Sequence, residues 1–226
     1  MSGGPLAGRR VLVSAGPTYE DLDPVRFLGN RSSGKMGFAI AAEAARRGAH
    51  TVLVAGPVAL ATPAGVDRRD VRSAAQMHAA VLQALPADVY IGAAAVADFT
   101  PARVATGKIK KQPGHDGLVL ELVRTADILA GVAAHAQRPR LVVGFAAETE
   151  DLEANARGKL ERKRLDLIVA NDVSAPGVGF EHETNAVTLL RADGGRREVA
   201  LASKRDVARA ILDEVVALRA TGDGAR

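Results

Sequence analysis

The residues best suited to chemistry lie between Ser14 and Phe38, in the segment SAGPTYEDLDPVRFLGNRSSGKMGF. This segment joins a short apolar strand to an amphipathic helix through a long loop rich in Gly, Pro, Asn and Ser. The backbone N–H groups of such a loop and the positive end of the helix dipole are suited to binding a phosphate or an acyl phosphate. The alternative is a helix start that Ser32 or Ser33 caps and that binds no ligand.

This loop differs from the two best-known nucleotide-binding motifs. Gly29, Gly34 and Lys35 match the first seven positions of GxxxxGK[ST]. Met36 stands at the eighth position, where a P-loop needs a hydroxyl to hold Mg²⁺. A P-loop also follows its strand directly, whereas here about fourteen residues intervene. The GxGxxG fingerprint is absent because Gly34 and Gly37 supply only half of it.

The composition restricts the class of protein. The chain has 226 residues, enough for one α/β domain with a full core. Hydrophobic residues make up 47% and aromatic residues only 3%, so Ala, Val and Leu must fill that core. There is no cysteine, which excludes disulfides, thiolate metal sites and a thiol nucleophile. No apolar run reaches the ~18 residues of a membrane span and no signal peptide opens the chain, so we expect a cytoplasmic protein.

The chain is basic, with a formal net charge of +4. Positive residues cluster at Lys108, Lys110 and Lys111 and again between Arg157 and Arg164. Nucleic acid is not expected as a partner, since the chain has few aromatic residues for base stacking and no recognisable nucleic-acid-binding module. A small polyanion such as a nucleoside triphosphate suits two compact clusters, although a surface excess of arginine also explains the charge.

Strand-like runs alternate with helical patterns along most of the chain. The expected strands are Val11–Ala15, Thr51–Ala55, Val89–Val96, Leu118–Val123, Leu141–Ala146 and Leu167–Ala170. The expected helices are Gly34–Arg47, Ala74–Ala84, Ala126–Ala136 and Leu152–Arg164. The apolar strands lack a two-residue alternation, which indicates burial on both faces of a mostly parallel sheet. The pattern predicts a Rossmann-like, doubly wound α/β fold that binds ligands at the carboxyl ends of its strands.

The end of the chain has a different pattern. Ala186–Arg191 and Arg196–Ala200 flank the turn residues DGG, which predicts a C-terminal β-hairpin. A terminal helix is expected after it, capped by Ser203 and ending near Leu218.

The sequence shows no internal repeat and no boundary inside its main part. We expect a flexible leader or linker remnant at residues 1–8, a single domain at 9–220 and a frayed tail at 221–226. Residues 99–117 form one long polar insertion. An insertion of this length inside a compact domain is usually functional, and often a lid.

Two further segments place candidate residues at or after an expected strand end. In Gly92–Phe99, GAAAVADF, the small residues let a ligand approach the backbone. Asp98 in this segment either serves such a site or only turns the chain. The three lysines of Gly107–Lys111 either form a lid over a triphosphate or lie in solvent.

A third segment is Gly144–Thr149, which is followed by a helix that carries Lys159 and Lys163. The two lysines are four residues apart and share one face of that helix. They either bind phosphate or pair with Glu161 or Asp166 in solvent. The five histidines are scattered, so no metal caged by protein ligands is expected. Any Mg²⁺ should be carried mainly by phosphates.

Together these strings resemble the bacterial phosphopantothenate–cysteine ligase family of coenzyme A biosynthesis. The matching segments cover nearly all of Val11 to Leu190, in order: SAGPTYEDLDPVRFLGNRSSGKMGFAIA, AAVADFTPARVATGKIKKQ, VGFAAETEDLEANARGKLERKRLDLIVANDVS and GFEHETNAVTLL. The resemblance implies that the carboxylate of 4′-phosphopantothenate attacks the α-phosphate of CTP, which gives an acyl-cytidylate and pyrophosphate. The amine of L-cysteine then attacks the acyl group and releases CMP.

The resemblance also implies a role for each candidate residue. Asn30 would bind the acyl group and assist the second step, and Lys108 would contact the phosphate at the reacting centre. The residues implied to bind 4′-phosphopantothenate are Arg26, Asn30, Ala94 and Ala95. The residues implied to bind CTP are Gly92, Ala93, Ala94, Asp98, Lys108, Ala126, Asp127, Ile128, Leu129, Phe145, Lys159 and Lys163. Mg²⁺ is implied as a cofactor, with no protein ligand assigned.

The same resemblance implies partners. Family members act as homodimers, with the lid reaching toward the neighbouring subunit's site, and the 186–200 hairpin is a candidate dimer element. A flavin-dependent decarboxylase domain is typically fused to the ligase. Two other functions compete with a ligase. One is a non-catalytic nucleotide-binding partner of such a decarboxylase. The other is a Rossmann-type oxidoreductase, which lacks support because neither Tyr19 nor Tyr90 has a lysine four residues on.

Overall fold

The computed structural model describes residues 3–111, 117–148, 151–172 and 182–223. Its strands are β1 (Arg10–Ala15), β2 (Tyr19–Asp21), β3 (Phe27–Gly29), β4 (His50–Ala55), β5 (Val66–Asp70), β6 (Val89–Gly92), β7 (Phe99–Pro101), β8 (Leu122–Arg124), β9 (Leu141–Glu148), β10 (Leu167–Asp172), β11 (Thr184–Arg191) and β12 (Arg196–Ser203). Its helices are α1 (Lys35–Arg46), α2 (Ala74–Gln83), α3 (Ile128–Ala133), α4 (Leu152–Arg162) and α5 (Lys204–Asp223).

A mostly parallel sheet forms the centre of the fold, in the strand order β12-β11-β10-β9-β6-β1-β4-β5. The strands from β10 to β5 in this order are parallel to their neighbours, and β11 and β12 add an antiparallel edge. Strand β1 lies inside the sheet and is buried from Val11 to Ala15. A strand covered on both faces needs a continuous apolar run, which is what this segment has.

Helices cover both faces of the sheet. On one face α1 and α5 form a core that includes Phe38 and Ile211. On the other face α2, α3 and α4 contribute Met77, Val132 and Leu160 to a second core. The doubly wound α/β fold with a C-terminal hairpin and helix is therefore confirmed. In the described ranges, none of the helices combines the length and the apolar character that a bilayer span requires.

The observed strands differ from the sequence expectation in three places. The strand expected over Val89–Val96 ends at Gly92, where the chain leaves the sheet. Of the strand expected over Leu118–Val123, only its end belongs to β8, which pairs with β7 in a separate two-stranded ribbon. Strand β5 was not predicted because its sequence, VDRRD, is that of a polar strand at the sheet edge.

Two helix ends also differ from the sequence expectation. Helix α3 starts later than the expected Ala126 because Asp127 is its N-cap, and it ends at Ala133 instead of Ala136. Helix α5 begins as expected, with the Ser203 hydroxyl accepting the N–H of Asp206 at 3.1 Å. It continues to Asp223, past the expected end, and the tail residues 224–226 lie outside the described residues.

The start of the chain is packed more firmly than a flexible leader would be. Leu6 is fully buried in the core formed with α1 and α5. Its N–H donates to the carbonyl oxygen of Arg47 at 3.1 Å. The expectation of a flexible leader is therefore wrong for Leu6, because burying this side chain removes apolar area from water.

Candidate active site

Two adjoining cavities lie at the carboxyl ends of the central strands. The α3 cavity, with a volume of about 510 Å³, is named after the helix that forms one wall. The loop cavity, of about 550 Å³, is lined by the loop that precedes α1. The residues that line both are Ala94, Val96, Asp98, Phe145 and Lys159. A ligand that fills both cavities would therefore pass along these shared residues.

The α3 cavity gathers most of the residues that were expected to bind a nucleotide. They are Gly92, Ala94, Asp98, Ala126, Asp127, Ile128, Leu129, Phe145, Lys159 and Lys163. In the sequence these residues lie in four separate segments. The crossover from β6 through α3 to β9 and on to α4 brings them to one end of the sheet. This is the place where open α/β sheets bind their ligands.

Asp127 and Lys163 form a charged part of the α3 cavity. Asp127 caps α3 by accepting the N–H of Ala130 at 3.0 Å, and the Lys163 Nζ lies 2.9 Å from the Asp127 Oδ2. Partial burial opposes ionisation of Asp127. The Ala130 amide and the nearby lysines outweigh it, so the pKa of Asp127 lies below its usual value.

Lys159, on α4, is also directed into the site. The Lys159 Nζ donates to the carbonyl oxygen of Phe145 at 2.7 Å, and both residues line the two cavities. Asp166, which was one alternative partner for these lysines, is bonded to Arg138 at 2.9 Å. The interpretation in which the lysine pair faces solvent is therefore not supported.

A pair of hydroxyl groups lines the α3 cavity where β1 and β6 run side by side. The Ser14 Oγ lies 3.0 Å from the Tyr90 Oη, and both residues are buried. Burial raises the pKa of Tyr90 to about 12, because an ionised phenol is disfavoured away from water. Sequence analysis did not bring these two residues together, because they lie far apart in the chain and meet only through the pairing of β1 with β6.

Asp98 stands in the wall between the cavities. Its backbone carbonyl oxygen accepts the N–H of Thr125 at 3.0 Å. Its side chain is exposed, and its carboxylate has no hydrogen bond or ion pair within the part of the chain that the structure describes. The carboxylate therefore does not stabilise a local turn. Within the same ranges, no group of three or more His, Asp or Glu side chains is arranged to hold a metal ion.

The loop before α1 presents its backbone to the loop cavity. Gly34 is the N-cap of α1, with a φ of 74°, and no side chain caps the helix. Ser32 instead accepts the N–H of Gly34 at 3.3 Å. A Cβ on Gly37 would lie 2.4 Å from the Cβ of Ala15, so a glycine is needed for α1 to approach β1. The alternative in which Ser32 or Ser33 caps α1 is therefore wrong.

Asn30 is fixed beside Ala94 and Ala95, two other residues expected to bind the substrate. Its Nδ2 donates to the carbonyl oxygen of Ala95 at 3.0 Å and to that of Val96 at 3.2 Å. Ala93, Ala94 and Ala95 line the loop cavity with it. The structure thus brings Asn30 to the same wall as the backbone segment with which it was expected to act.

Arg26 and Lys108, which were also expected in the site, lie outside both cavities of this chain. Arg26 donates to the Asp23 Oδ2 at 2.5 Å and to the carbonyl oxygen of Ile109 at 2.8 Å. The same Asp23 oxygen accepts the N–H of Ile109 at 3.0 Å. The Arg26 guanidinium holds the pKa of Asp23 well below its usual range. Arg26 therefore anchors the lysine segment, and Lys108 is exposed.

The polar insertion is more ordered than a structureless loop. Its first residues form β7, which pairs with β8 beyond its end, and the N–H of Ala105 donates to the carbonyl oxygen of Leu22 at 3.0 Å. Residues 112–116 of the expected lid, and Thr149 of the third segment, lie outside the described residues.

Three residues of the loop cavity were missed by sequence analysis. Asn171, Asn185 and Lys204 belong to β10, β11 and α5, and each is less than 9% exposed. Burial, and then the charge of Lys35, lower the pKa of Lys204. Only the order of strands in the sheet brings these elements to the loop before α1, so no local motif could have identified them.

Comparisons with known proteins agree with this architecture. The family model for the DNA/pantothenate metabolism flavoprotein C-terminal domain matches residues 6–218. The coenzyme A biosynthesis bifunctional protein CoaBC of Vibrio cholerae is 51% identical over 208 residues, which cover 92% of this chain and 52% of that protein. The chain spans about half the length of the bifunctional relatives it matches.

Solved structures show the same fold. The crystal structure of the C-terminal domain of a CoaBC protein is 42% identical and has a TM-score of 0.82, covering 97% of this chain and all of that one. A Cab2 variant in complex with phosphopantothenate-cysteine is 17% identical with a TM-score of 0.76, covering 94% of this chain and 87% of that one, and supports the fold alone. The chain therefore belongs to the DNA/pantothenate metabolism flavoprotein C-terminal domain family, which confirms the resemblance found in its motifs.

Proposed function

We propose that the chain joins 4′-phosphopantothenate to L-cysteine with CTP, through an acyl-cytidylate. The observation that carries this proposal is the position of Asn30. Its amide is bonded to Val96, a residue that lines both cavities. A reaction between a nucleotide in the α3 cavity and an acid in the loop cavity would take place at that boundary. The names of the bifunctional relatives place them in coenzyme A biosynthesis.

The first step forms a mixed anhydride. A carboxylate oxygen of 4′-phosphopantothenate attacks the α-phosphorus of CTP, and the bond from that phosphorus to the β-phosphate oxygen breaks. Pyrophosphate leaves with the bonding electrons. Negative charge builds on the transferred and leaving oxygens, so nearby cations lower the barrier. Lys159 and Lys163 line the α3 cavity and are the candidates for this task.

The second step forms the amide. The cysteine nitrogen attacks the acyl carbon, the acyl–oxygen bond breaks, and CMP and a proton are released. Asn30 would hold the acyl group so that its carbon faces the amine. Positioning of this kind supplies much of the rate of a bimolecular step, since the reactants need no further alignment.

Mg²⁺ would be held mainly by the phosphates of CTP, where it neutralises their charge. Asp98 fits as a protein contributor, because its carboxylate lines both cavities and is unpaired among the described residues. A single carboxylate with phosphate oxygens is an ordinary way for proteins to bind this ion.

Arg26 and Lys108 fit the reaction as parts of a homodimer. Residues 99–111 and 117–124, which we call the arm, hold the ribbon and the lysine segment and expose apolar side chains, among them Val104, Leu118 and Val119. Apolar surface of this kind is typical of protein interfaces. We propose that this arm packs on a second copy of the chain and that Lys108 acts in that copy's site. The 186–200 hairpin stays a second candidate for the interface.

The product would be consumed by a decarboxylase. The relatives are called bifunctional, and about half of their length has no counterpart in this chain. This fits the flavin-dependent decarboxylase partner that the resemblance implied, and a cytoplasmic location for both. A chain that only binds the nucleotide for such a partner would show CTP binding without turnover.

The test is to identify the products. The chain is incubated with 4′-phosphopantothenate, L-cysteine and Mg²⁺, with either CTP or ATP, and the mixture is analysed by mass spectrometry. We expect the amide product and CMP in equal amounts with CTP. Product with ATP alone would overturn the choice of nucleotide. No product with either nucleotide, although CTP binds, would favour the non-catalytic alternative.

A further inference from the structure

The buried hydroxyl pair of Ser14 and Tyr90 has no role in the reaction as described so far. The two side-chain oxygens lie 3.0 Å apart, and each residue is only 1% exposed. Both residues line the α3 cavity, and neither lines the loop cavity. Their neighbours on β1 and β6 are buried and apolar, such as Leu12 and Ile91. Hydroxyl groups are costly to bury in such a place unless their hydrogen bonds are satisfied.

The pair can donate one more hydrogen bond than it makes within this chain. Each hydroxyl carries one proton, and one of the two protons lies in the bond between the oxygens. Neither side chain makes a further hydrogen bond within the described ranges. Burial raises the pKa of Tyr90 to about 12, so the phenol keeps its proton at neutral pH. The second proton is therefore available to a ligand in the α3 cavity.

Aliphatic side chains from the start of α3 lie beside the pair. Ile128 is 4% exposed and belongs to the same core as Tyr90. A Cβ on Gly92 would lie 3.0 Å from the Leu129 Cδ2 and 3.4 Å from the Tyr90 Oη, so Leu129 and the phenol approach each other at this glycine. Because Gly92 has no side chain, the phenol oxygen is not covered there. This part of the α3 cavity thus combines apolar walls with one hydrogen-bond donor, which is typical of a pocket for a small uncharged ring.

Under the proposed function, the phosphates and the base of CTP need different parts of the α3 cavity. The α-phosphate reacts at the boundary with the loop cavity, where Lys159 lines both cavities. The base is joined to that phosphate through the ribose and carries no charge. An uncharged ring with acceptor atoms suits aliphatic walls and a neutral donor, whereas a phosphate would lose its hydration there without gaining a counter-charge. The hydroxyl pair, which lines the α3 cavity alone, therefore matches the base.

We propose that the hydroxyl pair of Ser14 and Tyr90 donates a hydrogen bond to the cytosine base of CTP. The inference rests on the proposed function, which supplies the nucleotide, and it adds two residues that help to select it. Cytosine has two acceptors for such a donor, the O2 carbonyl oxygen and the N3 ring nitrogen. A site that donates to one of these atoms binds an analogue without it less tightly, because the donor is then left unpaired.

The test compares CTP with analogues that lack one acceptor. Calorimetry measures the affinities for CTP, for 2-thio-CTP, in which sulfur replaces O2, and for 3-deaza-CTP, in which a CH group replaces N3. We expect the wild-type chain to bind one analogue at least about fivefold more weakly than CTP, as for one lost hydrogen bond. The double variant Ser14→Ala/Tyr90→Phe should bind that analogue within about twofold of CTP, because it has no donor to lose. Weaker binding of 2-thio-CTP identifies O2 as the acceptor, and weaker binding of 3-deaza-CTP identifies N3.

The matched control is Thr51→Val, which removes a buried hydroxyl from the neighbouring strand β4. Thr51 lines neither cavity, so this variant should keep the wild-type ratio of affinities. The same ratio in the double variant would overturn the contact, because other groups would then hold the base. A double variant that loses only its discrimination against 2′-deoxy-CTP would overturn it too, because the pair would then bind the ribose.

Fluorine NMR tests the contact even if the double variant does not fold. The chain has only two tyrosines, Tyr19 and Tyr90, so labelling with 3-fluorotyrosine gives two signals, which the variant Tyr19→Phe assigns. Saturating CMP should shift the Tyr90 signal and pyrophosphate should not, since only CMP carries the base. Equal shifts with the two ligands, or no shift with CMP, would overturn the contact.

Product formation by the wild-type chain is measured in parallel with these experiments. Its absence would reject the proposed function, while the affinities and the fluorine shifts still decide whether the hydroxyl pair contacts the base. Product formation with an unchanged affinity ratio in the double variant would keep the ligase and reject the contact.

Discussion

The Asn30 Nδ2 lies 3.0 Å from the carbonyl oxygen of Ala95. This bond fixes the side-chain amide of a loop residue against the backbone that follows β6. A loop side chain without such a bond would sample several rotamers, and ordering it during the reaction would cost free energy. Under the proposed function, this bond would keep Asn30 in position to hold the acyl group.

Replacing Asn30 should slow amide formation and leave the affinity for CTP nearly unchanged. We expect Asn30→Ala to lower the rate of amide formation about 100-fold, because a misplaced acyl group no longer meets the amine in the required geometry. The affinity for CTP should change less than about threefold, because the α3 cavity does not include Asn30. Stopped-flow turnover and calorimetry measure the two quantities. Unchanged turnover would remove Asn30 from the chemistry.

The proposal that the arm carries Lys108 into the neighbouring subunit's site can be tested by mixing two inactive variants. If Lys108 acts in the neighbouring subunit, mixed dimers of Asn30→Ala and Lys108→Ala contain one intact site. Subunit exchange should then restore about a quarter of the wild-type rate, since half of the dimers are mixed and half of their sites are intact. Each variant alone serves as the control. No recovery, with exchange shown by native mass spectrometry, would mean that Lys108 does not act across subunits.

Tyr90 should make the free energy of unfolding fall as the pH becomes alkaline. Its pKa is raised to about 12 in the folded chain, so the unfolded chain releases the phenol proton first, near the usual value of 10.0. The stabilisation from the neutral phenol is complete below pH 10 and is lost as the pH rises to 12. Each pH unit that separates the folded and unfolded pKa values corresponds to about 1.4 kcal/mol of stability.

The control for this effect is Tyr90→Phe, which removes the titrating group and leaves the Ser14 hydroxyl without its partner. We expect the variant to be about 1–3 kcal/mol less stable at neutral pH. It should also lose less stability than the wild type between pH 10 and pH 12. Urea unfolding at both pH values gives the comparison. Parallel curves for the two chains would contradict this role for Tyr90.

Glu43 should contribute to the loss of stability in acid. Its carboxylate is 2% exposed, and it accepts hydrogen bonds from Arg46 and Arg47 at 2.6 and 2.9 Å. These bonds lower its pKa from 4.5 to about 2, against the effect of burial. The depressed pKa means that its stabilisation is present above pH 4.5 and is lost as the pH falls to 2.

We expect Glu43→Ala to cost about 3–5 kcal/mol at pH 7, because Arg47 is buried and would lose a partner. Arg46→Ala is the matched control, since the Arg46 side chain is 59% exposed and its loss should cost no more than about 1 kcal/mol. Denaturant unfolding at pH 7 and pH 3 tests both. Similar losses of stability in Glu43→Ala and Arg46→Ala would show that burial of the side chain does not set the size of the loss.

The sequence predicted what local patterns encode. Continuous apolar runs such as VLVSA identified the buried parallel strands, and the motif around Asn30 lines the loop cavity. Strand β5 was missed because an edge strand needs no apolar run. Lys204 and Asn171 were missed because their proximity depends on strand order. Lys108 was expected in the site on the resemblance alone, and it lies outside both cavities of this chain.

The most direct test of a ligation through an acyl-cytidylate is the time course of pyrophosphate release with CTP, 4′-phosphopantothenate and Mg²⁺. Without cysteine we predict a burst of about one pyrophosphate per site, because the acyl-cytidylate has no acceptor. Adding cysteine should convert the burst into continuous release. Continuous release without cysteine, or no release with any nucleotide although CTP binds, would contradict this reaction sequence.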